Sequence, residues 1–221
     1  LLLAGCGGPA RGAGRPGVTG QTADFLRATW EQAGRPKVIL ACASCSLFFK
    51  AELADIPTVT LWNVLADLPL SADAAGSETL ALHDPCAARH DAASRACVRR
   101  LLEKAGQDVE EFDLGGELTR CCGYGGLADA ANPPLGEAFA RDRAADTPNP
   151  VLAYCSMCRD RIRAAGKDSI HILSLLFPCC PAEEALTRAA PGISARQEGR
   201  LAFRVTATPE CWEETPQRST L

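Results

Sequence analysis

The stretch VLAYCSMCRDRIRAAG, residues 151–166, decides the fold because it joins a buried strand to a helix through two cysteines. Its first five residues are a short apolar run, which is typical of a strand inside a sheet. The residues that follow have a helical pattern, and Gly166 is the residue type that commonly ends a helix. We therefore predict a strand at 151–155 and a helix at 156–166, with the C-x-x-C between them.

Further short apolar segments outside this unit also predict strands. They are KVILAC (37–42), TVTLW (58–62), TLALHDPC (79–86), DVEEFD (108–113) and SIHIL (169–173). Helical patterns at 22–34 and 94–106 lie among them, the first opening with Thr22 and the second with Ser94, and each closes at a glycine. Strands that alternate with helices favour an α/β fold built on mostly parallel sheets.

Three of the predicted strands end on a cysteine, namely Cys42, Cys86 and Cys155. The carboxyl ends of parallel strands meet at one edge of a sheet, and open α/β folds place their sites there. Thiols that are far apart in sequence are therefore expected to converge at this edge.

The chain also repeats itself. The order GCGG, then VILACASC, then a helix and a strand is matched by CCGYGG, VLAYCSMC, a helix and a strand. Cys6 precedes Cys42 by 36 positions, and Cys122 precedes Cys155 by 33. We predict two tandem Rossmann-like βαβ repeats, with a degenerate repeat at 1–72, a complete repeat at 73–177 and a tail at 178–221.

Composition narrows the class of protein. The 221 residues carry 23 basic and 27 acidic side chains, a balance that argues against a broad nucleic-acid or anionic-membrane surface. No apolar run approaches the roughly 20 residues of a membrane helix. The chain starts without Met, and we expect its true N-terminus to lie further upstream. Twelve cysteines allow either a disulfide framework or intracellular metal ligation, and the clear α/β patterning favours metal.

The cysteines of the second repeat form one set. The set consists of Cys86, Cys121, Cys122, Cys155 and Cys158. Soft thiolates select zinc or iron–sulfur clusters, and five thiolates exceed the four that a zinc tetrahedron or an ordinary cubane requires. A cluster with an iron that takes an extra or bridging thiolate would use all five. The glycines of CCGYGG then keep bulk away from the site.

The order C…CCG…CxxC, with LHDPC before it and IHILSLL after it, resembles the cysteine-rich CCG domain. That domain occurs in heterodisulfide reductase, in the iron–sulfur subunits of lactate, glycolate and anaerobic glycerol-3-phosphate dehydrogenases, and in membrane complexes of sulfate reducers. The segment ANPPLGEAFARDRAAD also resembles the C-terminal part of fused flavin- and ferredoxin-containing oxidoreductases. The resemblance covers about 1–177 and implies that the five cysteines hold a four-iron cluster, noncubane in the heterodisulfide reductases.

The first repeat departs from that pattern, because Gly5 stands where the first cysteine of the pair is expected. Its candidate metal ligands are Cys6, Cys42 and Cys45. A set of three or four thiols suits zinc or a second cluster, or it is a relic that binds nothing.

Cysteines outside these sets are interpreted as structural: Cys97 as a core residue, and Cys179, Cys180 and Cys211 as part of the tail. His83, in LHDPC, is either a hydrogen-bond or proton donor to the site or an ordinary strand-end histidine.

Two functions remain open at this point. The first is an iron–sulfur electron-transfer module of an anaerobic, heterodisulfide-reductase-like oxidoreductase, located in the cytoplasm or at the periphery of a membrane complex. Its expected partners are flavin- or ferredoxin-type subunits or domains, and its acceptor is a disulfide, a quinone pool or another protein of the same complex. The second is a zinc-stabilised, non-redox scaffold of a larger complex.

Overall fold

Two short apolar strands form the buried centre of the larger sheet in the computed structural model, which describes residues 6–69 and 78–177. Strands β3 (Leu80–His83) and β5 (Val151–Ala153) are buried along their whole length. Strand β4 (Val109–Glu111) pairs with the outer edge of β3, and β6 (Ser169–His171) pairs with β5. The order β4-β3-β5-β6 is parallel throughout, which places every carboxyl end at the same edge.

A second, smaller sheet contains strands β1 (Val38–Leu40) and β2 (Thr58–Thr60). These strands are also parallel, with Ile39 opposite Val59. The prediction of an α/β fold with parallel sheets is therefore confirmed, and strands are found within all six predicted segments.

Helices connect the strands. In chain order they are α1 (Gly8–Gly12), α2 (Pro16–Gln32), α3 (Ala43–Glu52), α4 (Leu61–Ala66), α5 (Ala92–Lys104), α6 (Ala128–Ala131), α7 (Pro133–Ala145), α8 (Ser156–Ala164) and α9 (Ile172–Leu176). The predicted closing glycines after α2, α5 and α8 all have left-handed φ angles, between 69° and 85°. Glycine adopts this conformation without the strain that a Cβ atom would bring.

The starts of two helices differ from the prediction. Helix α2 begins at Pro16, because the fixed φ of proline suits the first helical position, and Thr22 lies within the helix with its hydroxyl bonded to a carbonyl. Helix α5 begins at Ala92, because the Asp91 carboxylate accepts the Ser94 backbone N–H and takes the capping role predicted for Ser94.

The main core lies between the larger sheet and helices α4, α5 and α9. Leu82 and Leu152 contribute from the strands, Val98 and Leu101 from α5, and Trp62 from α4. Cys97 is also buried in this core, so its predicted structural position is confirmed. A separate core under the smaller sheet consists of Leu26, Leu40, Phe48, Phe49, Leu53 and Ile56.

The described residues all lie in one compact unit of the chain. The predicted boundary near 72, the tail at 178–221 and Cys179, Cys180 and Cys211 fall outside them, and the tandem division stays a prediction. Within 6–69 and 78–177, no helix has the length and apolar character needed to cross a bilayer.

Candidate metal centre

The two C-x-x-C motifs form equivalent turns, each between a parallel strand and a helix. Cys42 follows β1 and precedes α3 with φ −126° and ψ 128°. Cys155 follows β5 and precedes α8 with φ −132° and ψ 121°. The backbone of the two turns is thus nearly identical, as the sequence repeat predicts.

The turn favours thiolate at the first cysteine of each motif. A hydrogen bond from Cys45 lowers the pKa of the Cys42 thiol to about 5, with a further contribution from the backbone N–H groups of Ser44 and Cys45. A hydrogen bond from Cys158 likewise lowers the pKa of Cys155. Free N–H groups at the start of a helix stabilise negative charge, which explains why this turn suits a metal-binding sulfur.

The five cysteines of the second set make a continuous series of sulfur contacts. The Sγ atoms of Cys122 and Cys158 lie 3.2 Å apart. Cys121 contacts both Cys86 and Cys122, and Cys158 also contacts Cys155. Three segments separated by more than 30 residues each therefore bring their thiols to one place at the sheet edge.

The pKa values along this series alternate. Hydrogen bonds from Cys122 and Cys86 lower the pKa of Cys121 to about 2, whereas the contact with Cys121 raises the pKa of Cys122 to about 12. The same contact raises the pKa of Cys86, and the contacts with Cys122 and Cys155 raise that of Cys158. Neighbouring sulfurs cannot all ionise while only protons lie between them. Metal cations remove this conflict, because they bind the thiolate form.

Glycine leaves the space that these sulfurs occupy. A Cβ atom added at Gly125 would lie 2.5 Å from the Cys86 sulfur and 3.0 Å from the Cys121 sulfur. Gly123 has φ 91°, and a Cβ there would lie 2.0 Å from the carbonyl oxygen of Gly136. Any side chain at 125 would therefore displace two thiols, and any side chain at 123 would displace helix α7 from the loop.

Asp84 anchors the cysteine pair to the end of β3. Its buried carboxylate accepts hydrogen bonds from the Gly116 N–H, from the Tyr154 hydroxyl at 2.6 Å and from the Arg99 guanidinium. Its backbone carbonyl accepts from the Thr119 hydroxyl, two residues before Cys121. Burial opposes ionisation of Asp84, yet the Arg99 and Tyr154 hydrogen bonds outweigh it and lower the pKa of Asp84.

His83 lies against the site and is fully buried. One of its ring nitrogens and the sulfurs of Cys122 and Cys158 all lie within 4.8 Å of one another. Burial, followed by the nearby Arg143 charge, lowers the pKa of His83 to about 3, so the ring is neutral at ordinary pH. Whether His83 serves as a hydrogen-bond or proton donor stays a prediction.

The first set is also assembled. Cys45 contacts the sulfurs of both Cys6 and Cys42, and its hydrogen bond lowers the pKa of Cys6 to about 7. All nine described cysteines are free thiols, so a disulfide framework is absent from residues 6–69 and 78–177. The structure thus brings together three thiols in the first set and five in the second.

The two sets lie within electrostatic range of each other. The negative charge of Cys42 opposes ionisation of Cys155, although the Cys158 hydrogen bond outweighs this effect. Cys42, Trp62 and Tyr154 line a small cavity at this place.

Comparison with known proteins agrees with the arrangement of the second set. Residues 80–163 match the cysteine-rich CCG domain. This part of the chain is a CCG domain. Its span contains all five cysteines of the second set together with His83 and Asp84.

Curated relatives come from methanogenic archaea, and each is a component of a dihydromethanophenazine:CoB–CoM heterodisulfide reductase. Over 160 residues the chain is 29% identical to the Methanosarcina barkeri protein, covering 63% of the chain and 38% of that protein. It is 30% identical to the Methanosarcina mazei protein over 160 residues, covering 64% and 38%. The Methanosarcina acetivorans protein is 31% identical over 156 residues, covering 62% and 37%. The chain therefore spans less than two fifths of these relatives, and the match supports an iron–sulfur redox module.

An iron–sulfur cluster fits the donor set of the CCG domain. Five soft thiols lie in contact, Gly125 leaves their sulfurs unobstructed, and the Nε2 atom of His83 is buried without a hydrogen-bond partner among the described residues. Iron–sulfur clusters are held by such thiolates and accept hydrogen bonds at their sulfurs.

Sequence reasoning missed Arg143, which contacts His83, and the Tyr154–Asp84–Thr119 network. The buried positions Gly136, Ala140 and Arg143 share one face of α7 at helical spacing, a signal that could have placed Arg143 inside.

Proposed function

We propose that Cys86, Cys121, Cys122, Cys155 and Cys158 bind one iron–sulfur cluster, and that the CCG domain is an electron-transfer module of a heterodisulfide-reductase-like oxidoreductase. The observation that carries the proposal is the continuous contact among thiols from three distant segments. When bound, the cluster would accept and donate single electrons. We infer a four-iron cluster of the noncubane kind, because a cubane would leave one of five thiolates without a metal.

The residues of the chain prepare this site in advance. The start of α8 stabilises thiolate at Cys155, and the loop amides of Gly123 and Gly125 stabilise thiolate at Cys121. Asp84 holds the end of β3 against the segment that leads into the cysteine pair. The five ligands are thus positioned by packing and hydrogen bonds of the protein, which limits the rearrangement that metal binding requires.

Zinc is the alternative for this set, in a non-redox scaffold. A tetrahedral zinc ion uses four thiolates and would leave one buried or half-buried thiol without a role. The contact of all five sulfurs therefore favours iron–sulfur over zinc in the second set.

For the first set we propose a separate metal, bound by Cys6, Cys42 and Cys45. The equivalent C-x-x-C turns support this proposal, since the turn that lowers the pKa of Cys155 also lowers that of Cys42. Three thiols suit zinc or a cluster completed by another ligand.

The proposed partners are flavin- or ferredoxin-type subunits or domains that supply electrons. The acceptor class we favour is a disulfide, because the Methanosarcina relatives are named as heterodisulfide reductase components. The proposed location is the cytoplasm, alone or at the periphery of a membrane complex, where free thiols persist.

Anaerobic purification followed by metal, sulfide and EPR analysis tests the proposal. We expect a brown protein with about four irons and a matching amount of acid-labile sulfide for the second set. A Cys42→Ser/Cys45→Ser double variant separates the sets, because it leaves only the second set intact. A variant that binds zinc alone, with no reducible EPR signal, would replace the redox module with the scaffold.

A further inference from the structure

Arg143 is a buried cation close to the proposed cluster site. Its side chain, on α7, is fully enclosed by protein. The guanidinium carbon lies 3.5 Å from the ring centroid of Phe112, and Nη1 donates to the Asp146 carboxylate at 3.2 Å. Phe112 also makes an edge contact with His83. Since burial of a charge is costly, a role beyond packing is expected for this side chain.

The third contact of Arg143 determines the protonation of a histidine. Its Nε–H donates a hydrogen bond of 3.0 Å to Nδ1 of His83. A ring nitrogen that accepts a hydrogen bond carries no proton, and arginine is always a donor. The single proton of neutral His83 therefore lies on Nε2.

Nε2 faces the buried interior of the site. Within residues 6–69 and 78–177 it has no hydrogen-bond partner, although it is completely buried. The His83 ring has a nitrogen within 4.8 Å of the sulfurs of Cys122 and Cys158, and Nδ1 is already occupied by Arg143. A buried N–H group beside thiolate sulfur is a donor that lacks only its acceptor.

We propose that Arg143 is a positioning residue that fixes His83 as the Nε2–H tautomer, so that His83 donates a hydrogen bond to sulfur at the cluster site. The inference rests on the proposed iron–sulfur function. A hydrogen bond to a ligand or cluster sulfur stabilises the reduced, more negative state, and so raises the reduction potential. Arg143 thereby influences the redox property of a site that it reaches through another side chain.

The tautomer can be measured without any substitution. In the EPR-silent state of the purified, ¹⁵N-histidine-labelled chain, long-range ¹H–¹⁵N correlation spectra distinguish a protonated from an unprotonated ring nitrogen. We expect a bare Nδ1 and a protonated Nε2 for His83. A proton on Nδ1, or on both nitrogens, overturns the inference.

A double-mutant cycle measures the effect on the cluster. EPR-monitored redox titration of Arg143→Met and His83→Phe should give midpoint potentials more negative than wild type. In the His83→Phe background, Arg143→Met should add little, because the two residues act in series. Additive shifts would show that Arg143 acts by its own charge, and would overturn its positioning role.

Two further variants guard against simple loss of folding. His83→Gln keeps an acceptor for Arg143 and an N–H donor for sulfur, so its potential should stay close to wild type. Arg141→Met is the matched control on α7, because Arg141 is 62% exposed and pairs only with a nearby exposed glutamate in the described structure. A shift in Arg141→Met equal to that in Arg143→Met would contradict the proposal.

Failure of the inference and failure of the proposed function give different results. A chain that binds no iron in any variant has no midpoint potential, which refutes the cluster, while the NMR spectrum still reports the tautomer. A chain with a normal cluster and unchanged potentials in Arg143→Met and His83→Phe refutes only the role of Arg143.

Discussion

The sulfur atoms of Cys122 and Cys158 lie 3.2 Å apart although 36 residues separate them in sequence. This distance exceeds that of a disulfide bond and corresponds to two thiols that share a proton or a metal. The loop of the cysteine pair and the first turn of α8 are thereby joined at one point, and replacing either sulfur should break the set.

Substitution of Cys122 by serine should therefore remove or convert the cluster of the second set. Oxygen is a harder and weaker ligand for iron than thiolate, so we expect loss of most of the iron, or a new EPR signal. Iron and sulfide analysis of the anaerobically purified variant measures this.

Cys97→Ser is the matched control, because Cys97 is buried in the core, and its sulfur accepts a hydrogen bond from Arg100. Its iron content should equal that of wild type. Equal loss of iron in the two variants would show that the ligand assignment is wrong.

Gly125→Ala should impair the site without changing a ligand. The added Cβ would lie 2.5 Å from the Cys86 sulfur, so one or both thiols must move. We expect iron content and visible absorbance to fall well below wild type, with the secondary structure retained by circular dichroism.

Gly20→Ala serves as the comparison, since Gly20 lies within α2 and a Cβ there meets no atom within 4 Å. It should bind iron normally and gain up to about 1 kcal/mol of helix stability. Full iron occupancy in Gly125→Ala would refute the steric argument.

The strands and the thiol sets could be predicted from sequence because both depend on local pattern. Short apolar runs identify strands, and the carboxyl ends of parallel strands necessarily share an edge, so Cys42, Cys86 and Cys155 could be placed at such an edge from sequence alone. Adjacent cysteines before glycines similarly indicated a site.

The support of the site depends on tertiary contacts, which leave little local signal. Arg143 lies 60 residues from His83, and Tyr154 lies 70 residues from Asp84. Arginine and tyrosine in a helix or at a strand end are usually exposed or partly exposed. Burial of Arg143 depends on Phe112 and Asp146, which become its neighbours only after folding.

Tyr154→Phe should destabilise the folded chain by about 1–2 kcal/mol, because it leaves a buried carboxylate with one donor fewer. The hydroxyl donates to Asp84 at 2.6 Å, and the Tyr154 side chain is almost fully buried. Urea unfolding at matched metal content measures the change in the free energy of unfolding.

Glu111→Gln provides the control for this network. Glu111 pairs with the same Arg99, but its side chain is 49% exposed, so the loss should stay below about 1 kcal/mol. A larger loss for Glu111→Gln than for Tyr154→Phe would mean that Asp84 is not the centre of the network.

Acid should destabilise the chain in part through His171. Its Nδ1 accepts the Leu173 N–H at 3.2 Å, and burial, followed by the Arg159 charge, lowers its pKa from 6.5 to about 4, with Asp160 acting in the opposite direction. Between pH 6.5 and about 4 the unfolded state binds more protons than the folded state. The contribution of His171 to stability is therefore complete above pH 6.5 and is lost as the pH falls through this window, by at most about 1.4 kcal/mol per pH unit.

His171→Asn isolates this effect from that of other titrating groups. The asparagine side-chain oxygen can still accept the Leu173 N–H at the start of α9, but it does not titrate. Urea unfolding of both proteins from about pH 4.5 to about pH 7.5, at equal metal content, should give a difference that grows steadily below pH 6.5 in favour of the variant. Parallel profiles across this range would mean that His171 keeps an ordinary pKa in the folded chain, and that the Nδ1 hydrogen bond does not depend on a neutral ring.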